Sequence, residues 1–403
     1  MKDYLFLNGD KVLFEFQHDY TLTGNEYYMG NLYSDMSELP FSMQLHGYNA
    51  QSLATWVKLR IISTGRHHME AVLGAIKLKN KFDILVYCHG LSLNDTYWIK
   101  EKNDSIIFEN INLYDNPFDN ALGWIAFTGV SSNISRNLST PELTTNGMLP
   151  KYWQRCSDGN IILVKSGCKT EYGYSGEPYS EVIASIISKK IDINVIEYEI
   201  GKRNNKTVSI SKLFTNKQYG LVTIYEYMSF IYGNSDELLF KNCITSIYDV
   251  LGTLEPFYDM CFFDWLIMND DRHKNNWGFL VNNKTRKIEN FAPIWDNGMS
   301  LFWSAREIDF PNAYEYASYF SSFDIPYDFI LECEYRQKFV NLCHQLLSYL
   351  NSTEATTDFS NIFADDTKHN WKTPYIIEML KRRCNQYISY SMNNSALKKE
   401  IIL

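Results

Sequence analysis

Residues 264–280, DWLIMNDDRHKNNWGFL, run a hydrophobic segment straight into a knot of Asn, Asp, Arg and His and then return to apolar residues. Polar groups taken out of water must find partners. Any fold for this chain therefore has to gather several polar side chains at one buried place. The next residues tighten the constraint. WGFLV, NNKTRK and IENFAPIWDNG read as a strand, a turn and a second strand ending at Asp296, where a carboxylate can face Asp271 and Asn276.

Asp271 and Asn276 have the spacing by which a kinase catalytic loop holds a carboxylate near an attacking hydroxyl and an amide oxygen near a magnesium ion. With Asp296 they offer hard oxygen ligands that, together with nucleotide phosphates, suit Mg²⁺. Asp296 then takes the part of the Asp in an Asp-Phe-Gly motif. Upstream, NIILVKSG ends a β-branched run in Lys165, as a lysine that pairs nucleotide phosphates should. The helical pattern EPYSEVIASIISKKI, with Pro178 in its first turn, offers Glu181 to hold that lysine, and Glu177 is its rival. TIYEYM reads as a hinge whose backbone at Glu226, Tyr227 and Met228 meets an adenine edge. Plainer readings stand beside these: Lys165 as a snorkelling strand-end lysine, His273 and Arg272 as groups that serve their own loop, and the acids as members of a solvated turn.

Strand-like pieces such as KVLFEF and FDILVYCHGL, with a helix around NAQSLATWVKLRII, mark a small α+β domain over residues 1–135. A Ser-, Thr-, Asn- and Gly-rich boundary loop follows at 136–151, then a strand-rich lobe at 152–235 and a helical lobe at 236–403. The net charge of −9 argues against a general polyanion binder, so direct nucleic-acid binding is not expected. Eight cysteines without a Cys-x-x-Cys pair suggest neither a zinc site nor a disulfide framework. His67, His68 and Glu70 make a poor metal site, because adjacent histidines point apart. The start MKDYLFLNGDKVLF breaks its apolar run at Asn8, and no stretch approaches the roughly 18 apolar residues of a membrane span, so a cytoplasmic protein is expected.

NDDRHKNNWGFL with PIWDNGMSL, preceded by TTNGMLPKYW, ILVKSG and EPYSEVIAS, resembles the HipA-like kinases over roughly residues 144–300. These share a protein-kinase-like fold with the phosphatidylinositol kinases. The resemblance implies an α+β, two-lobed fold behind a small N-terminal domain. It also implies ATP and Mg²⁺ as cofactors and phosphoryl transfer to Ser or Thr of a protein substrate, with an antitoxin-like regulatory partner as a further expectation. By resemblance Asp271 orients the nucleophile and accepts its proton, with His273 sharing the work. Asn276 and Asp296 hold the metal, and Lys165 and Gly147 serve the phosphates. The family's loop can be autophosphorylated, which points to Ser139, Thr140, Thr144 or Thr145. Two departures are plain: no Gly-x-Gly-x-x-Gly loop and no His-Arg-Asp. Other readings are a kinase-fold binding protein of toxin–antitoxin type, a nucleotidyltransferase, or a metal hydrolase using Asp270, Asp271, His273 and Asp296, for which a further ligand set is missing.

Overall fold

The computed structural model describes residues 1–62, 66, 68–78, 81–130, 140–145, 147–170, 173–232, 240–309 and 327–400. Its backbone divides into two units interleaved along the chain. One holds residues 1–165, 211–243 and 278–292, the other 166–210, 244–277 and 293–403. The expected boundary at 136–151 is not where they divide. Helix Asn120–Thr128, capped by the Asp119 carboxylate on the Ala121 and Leu122 N–H groups, lays Gly123 against Tyr152, where a Cβ would stand 3.4 Å from the ring. This contact binds strand Lys151–Arg155 to the N-terminal part of the chain.

In the first unit, strands Gly24–Leu32, Lys11–Thr21, Lys2–Asn8 and Tyr97–Glu101 form a sheet in that order. Period-two alternation buries Tyr4 and Phe6 opposite Phe16 and Phe14, with ring centroids 5.4 and 4.6 Å apart. Helix Ala50–Arg60 covers that face with Leu53, Trp56 and Val57, and its first turn is capped by Asn49. FDILVYCHGL, expected as a strand, is helix Lys81–Tyr87, with Phe82 and Leu85 in the same core. A short apolar run has no period that separates the two states, and here packing decides. A second antiparallel sheet joins Tyr219–Thr223, Gly278–Asn282 and Ile288–Phe291. The strand, turn and strand read from the sequence are therefore present.

In the second unit, helix Glu177–Ile191 begins with Pro178 in its first turn and is buried on nearly every side. Strands Tyr198–Arg203 and Lys206–Lys212 pair through a tight turn in which Asn204 and Asn205 both take positive φ, the geometry an Asn-Asn hairpin favours. Helices Glu255–Ile267, Arg336–Leu350 and Lys372–Glu400 pack around Phe262, which stacks on Phe339 at 4.4 Å and meets Tyr387 edge-on at 5.4 Å. All eight cysteines are free thiols. Among the described residues no helix is long and apolar enough to cross a membrane.

Candidate active site

Helix Glu255–Ile267 stops at Met268, a left-handed residue whose N–H returns to the Asp264 and Trp265 carbonyls. The chain then turns through residues 269–276. Asp264, one turn back in the helix and buried among Phe262, Phe263 and Leu266, is the acid on which the loop is built. Its carboxylate takes the Arg272 Nε and Nη2 groups at 2.9 Å each, and the Asn269 amide at 2.9 Å. The rest of the Arg272 guanidinium reaches outward. Nη1 donates to the Asn276 carbonyl at 2.8 Å and to the Trp295 carbonyl, and Nη2 donates to Asn297 Oδ1 at 2.7 Å. One planar fork thus ties the loop of Asp271 and Asn276 to the segment of Asp296. Burial works against the Arg272 charge, but Asp264, with Asp296 and Glu181 nearby, outweighs it and raises the pKa.

Further hydrogen bonds join the same segments. Leu301 N–H donates to Ile267 O and Asp270 N–H to Met299 O, while Ser180 Oγ donates to Ser300 O at 2.7 Å. Asp296 sits at φ 58°, and its N–H donates to Tyr198 Oη at 3.3 Å. Glu181 is fully buried and accepts the Asn297 N–H at 2.9 Å. The rival Glu177 is occupied at the start of its helix by Ser175 Oγ and the Cys168 N–H. Asn276 gives its amide nitrogen to the Asp271 carbonyl at 3.0 Å, which leaves the amide oxygen as an acceptor of the kind a hard cation takes. The residues present therefore fit a magnesium ion.

Asp271, His273, Asn276, Asp296 and Glu181 all belong to the second unit, and Lys165, Gly147, Glu226, Tyr227 and Met228 to the first. His273 is exposed, and its Nδ1 accepts the Asn275 N–H at 3.2 Å, the loop-holding part that stood as the plainer reading. Lys165 is buried on strand Ile161–Ser166 opposite Lys151. Gly147 takes φ 97°, a conformation that side-chain-bearing residues rarely adopt, and a Cβ there would run into Lys151 Nζ.

The segment read as a hinge is helical: Glu226, Tyr227 and Met228 lie in the first turns of helix Ile224–Tyr232. Thr223 Oγ1 accepts the Glu226 N–H at 3.2 Å while Glu226 Oε2 accepts the Thr223 N–H at 3.1 Å, so TIYE is a capping box. The Tyr227 and Met228 side chains are core. In the proposed phosphorylation loop, Ser139 and Asn146 lie outside the described residues. Thr140 and Thr144 are buried, and the Thr144 and Thr145 hydroxyls donate to Leu91 O and Pro141 O at 2.7 Å each. Among the described residues no cluster of His, Cys, Asp and Glu forms a metal site of its own. Sequence reasoning missed Asp264, Asn269 and Asn297. A lone Asp inside CFFDWLIM was the signal, because a charge so placed requires a partner.

No family model matches the chain. Over 156 residues it is 32% identical to the serine/threonine-protein kinase CtkA of Helicobacter pylori, a match that covers 36% of this chain and 46% of that protein. The chain thus spans about half the length of this curated relative. In three dimensions it is similar to HipA of a Shewanella oneidensis toxin–antitoxin system, from a complex of HipA, HipB and operator DNA. The TM-score is 0.54 at 13% identity, over 97% of this chain and 98% of that one. A crystal structure of the H. pylori proinflammatory kinase CtkA aligns with a TM-score of 0.46 at 20% identity, over 61% and 95% of the two chains. The fold is the mixed α/β, kinase-like fold of HipA. The resemblance to HipA-like kinases carried by the motifs is borne out.

Proposed function

We propose that the protein is an ATP- and Mg²⁺-dependent phosphotransferase of the HipA-like type that modifies Ser or Thr of a protein in the cytoplasm. The observation that carries this reading is the Arg272 fork, which holds the Asp271–Asn276 loop against the Trp295–Asn297 segment through Asp264. The Asp271 carboxylate orients the substrate hydroxyl and takes its proton as the oxygen forms its bond to the γ-phosphorus and the bond to the ADP oxygen breaks. Asn276 Oδ1 and Asp296 would hold Mg²⁺, which supplies charge neutralisation at the phosphate oxygens. Lys165 and Gly147 serve the phosphates, and Glu181 fixes the Asn297 backbone. A regulatory partner is part of the proposal, because the HipA neighbour is found with HipB and operator DNA.

Incubation with γ-labelled and α-labelled ATP in parallel, with and without Mg²⁺, tests the reaction. Label passing from the γ-position to protein hydroxyls only when Mg²⁺ is present is the expected result. Transfer from the α-position would make the protein a nucleotidyltransferase, and no transfer would leave a binding protein. Asp271→Asn should keep Mg²⁺-ATP binding and lower turnover by about 10²- to 10⁴-fold. Turnover unchanged in that variant would remove Asp271 from the chemistry.

A further inference from the structure

We propose that a cavity lined by residues of the first unit, none of them among Asp271, Asn276, Asp296, Lys165 and Gly147, binds a small zwitterion of the α-amino acid class, its carboxylate held by Arg286 and its ammonium by Glu226. Arg286 lies in the turn between strands Gly278–Asn282 and Ile288–Phe291, at φ 60°. Its guanidinium carbon stands 5.3 Å from the Phe41 ring centre and 5.0 Å from that of Tyr97. The residue is only 8% exposed. Two aromatic rings attract a desolvated cation, but they accept none of the five N–H groups a guanidinium offers in its plane. Among the described residues no acid lies within ion-pair distance, none accepts a hydrogen bond from its side chain, and Nε is buried without a partner. A buried cation left so incompletely satisfied is the exception in folded proteins.

The same cavity is lined by Glu226. One of its oxygens is held by Thr223, and no described cation lies within ion-pair distance of it. Burial pushes the Glu226 carboxyl up, with Asp95 adding to the effect, against the Thr223 hydrogen bonds and the charge of Arg60, which lines the same cavity but is paired with Asp95. Asp95, the other acid of the wall, is already matched by a two-point ion pair to Arg60 at 2.6 and 2.7 Å. Two opposite charges thus line one cavity without pairing with each other. Beside them stand the Ser42 hydroxyl and the Asn94 carboxamide, neither engaged in a hydrogen bond.

The cavity measures about 80 Å³, room for roughly five to eight water-sized positions. That is the size of a small amino acid. A simple carboxylate would satisfy Arg286 and be repelled by Glu226, and a simple amine would do the reverse. A zwitterion answers both, and the free edge of the guanidinium suits the two oxygens of a carboxylate.

Calorimetric titration and thermal melting of the full chain against each proteinogenic amino acid, with acetate and ethylamine as single-charge controls, test the site. At least one small amino acid should bind and raise the melting temperature, with acetate and ethylamine at least about tenfold weaker. Arg286→Lys, which keeps the charge but not the planar fork, and Glu226→Gln should each weaken that amino acid by at least about tenfold. Ser42→Met, which fills the cavity while leaving both charged groups in place, should abolish binding and covers the case in which Arg286→Lys does not fold. Binding by no amino acid, binding of acetate as tight as that of the best amino acid, or full affinity in Ser42→Met would each overturn the proposal.

Discussion

Arg272 and Arg286 are both buried, one wholly and the other to all but 8%, and their company could hardly differ more. Arg272 spends every donor on the protein: the two oxygens of Asp264, the Asn276 and Trp295 carbonyls, and the Asn297 amide. Arg286 has two aromatic faces and, among the described residues, no acceptor. A buried cation with a full set of partners is scaffolding, fixed so that neighbouring groups can act. One with an empty set is half of an interaction whose other half comes from outside. The difference predicts opposite behaviour when the two charges are removed.

The largest effect belongs to Arg272→Met. It leaves Asp264 as an unpaired charge in an apolar helix and cuts the tie between the two segments of the candidate active site. Loss of about 3–5 kcal/mol is expected, read by urea denaturation of the full chain. Arg272→Lys should not rescue it, because a point charge cannot reach acceptors spread around a plane. If either variant kept wild-type stability, Arg272 would not be the element that assembles the loop.

Much of this was legible in the sequence, and the boundary of legibility is physical. The hairpin after the Asp271–Asn276 loop and the helix EPYSEVIASIISKKI stand where the patterns put them, because period and cap chemistry are local. FDILVYCHGL and TIYEYM were misread for a different reason. The first is too short for its period to separate strand from helix, and in the second the Thr-x-x-Glu cap was present but an apolar β-like run hid it. Arg272 was recognisable as a residue serving its own loop, but its reach to Trp295 and Asn297 joins residues more than twenty positions apart, which no local pattern encodes. Arg286 could not be read at all: TRK inside a turn looks like an ordinary solvated charge run, and only tertiary packing lays it between Phe41 and Tyr97.

Lys372 is an intermediate case between the two arginines. It is 2% exposed, and its ammonium donates to the Phe302 and Trp303 carbonyls at 2.7 and 3.1 Å, with Glu177 and Asp366 acting on it electrostatically. Burial outweighs these, and the pKa falls from 10.5 to about 8. Below the folded value both states are charged and the cost of burying the ammonium is present in full. From about pH 8 to 10.5 the unfolded chain keeps a proton that the folded chain has shed, so this group makes the fold more stable as pH rises. Buried tyrosines and thiols pull the other way at the alkaline end, so the quantity to measure is the stability of wild type minus that of Lys372→Met. It should move in favour of wild type across that window. A difference flat with pH would mean that Lys372 keeps its ordinary pKa.

The smallest effect is expected for Arg286→Met without ligand. A methionine of similar length can lie between Phe41 and Tyr97, and its sulfur makes favourable contacts with aromatic rings. The cation–π attraction that is lost, up to about 2 kcal/mol for a desolvated pair, is set against relief from holding an unpaired charge away from water. The two nearly cancel, and the denaturation midpoint should stay within about 1 kcal/mol of wild type in either direction, whereas Arg272→Met falls well outside that range. A loss at Arg286 as large as that at Arg272 would show that the protein itself supplies a partner in solution. The cation would then be scaffolding like its counterpart, and the cavity beside it would have no unfilled charge to offer a ligand.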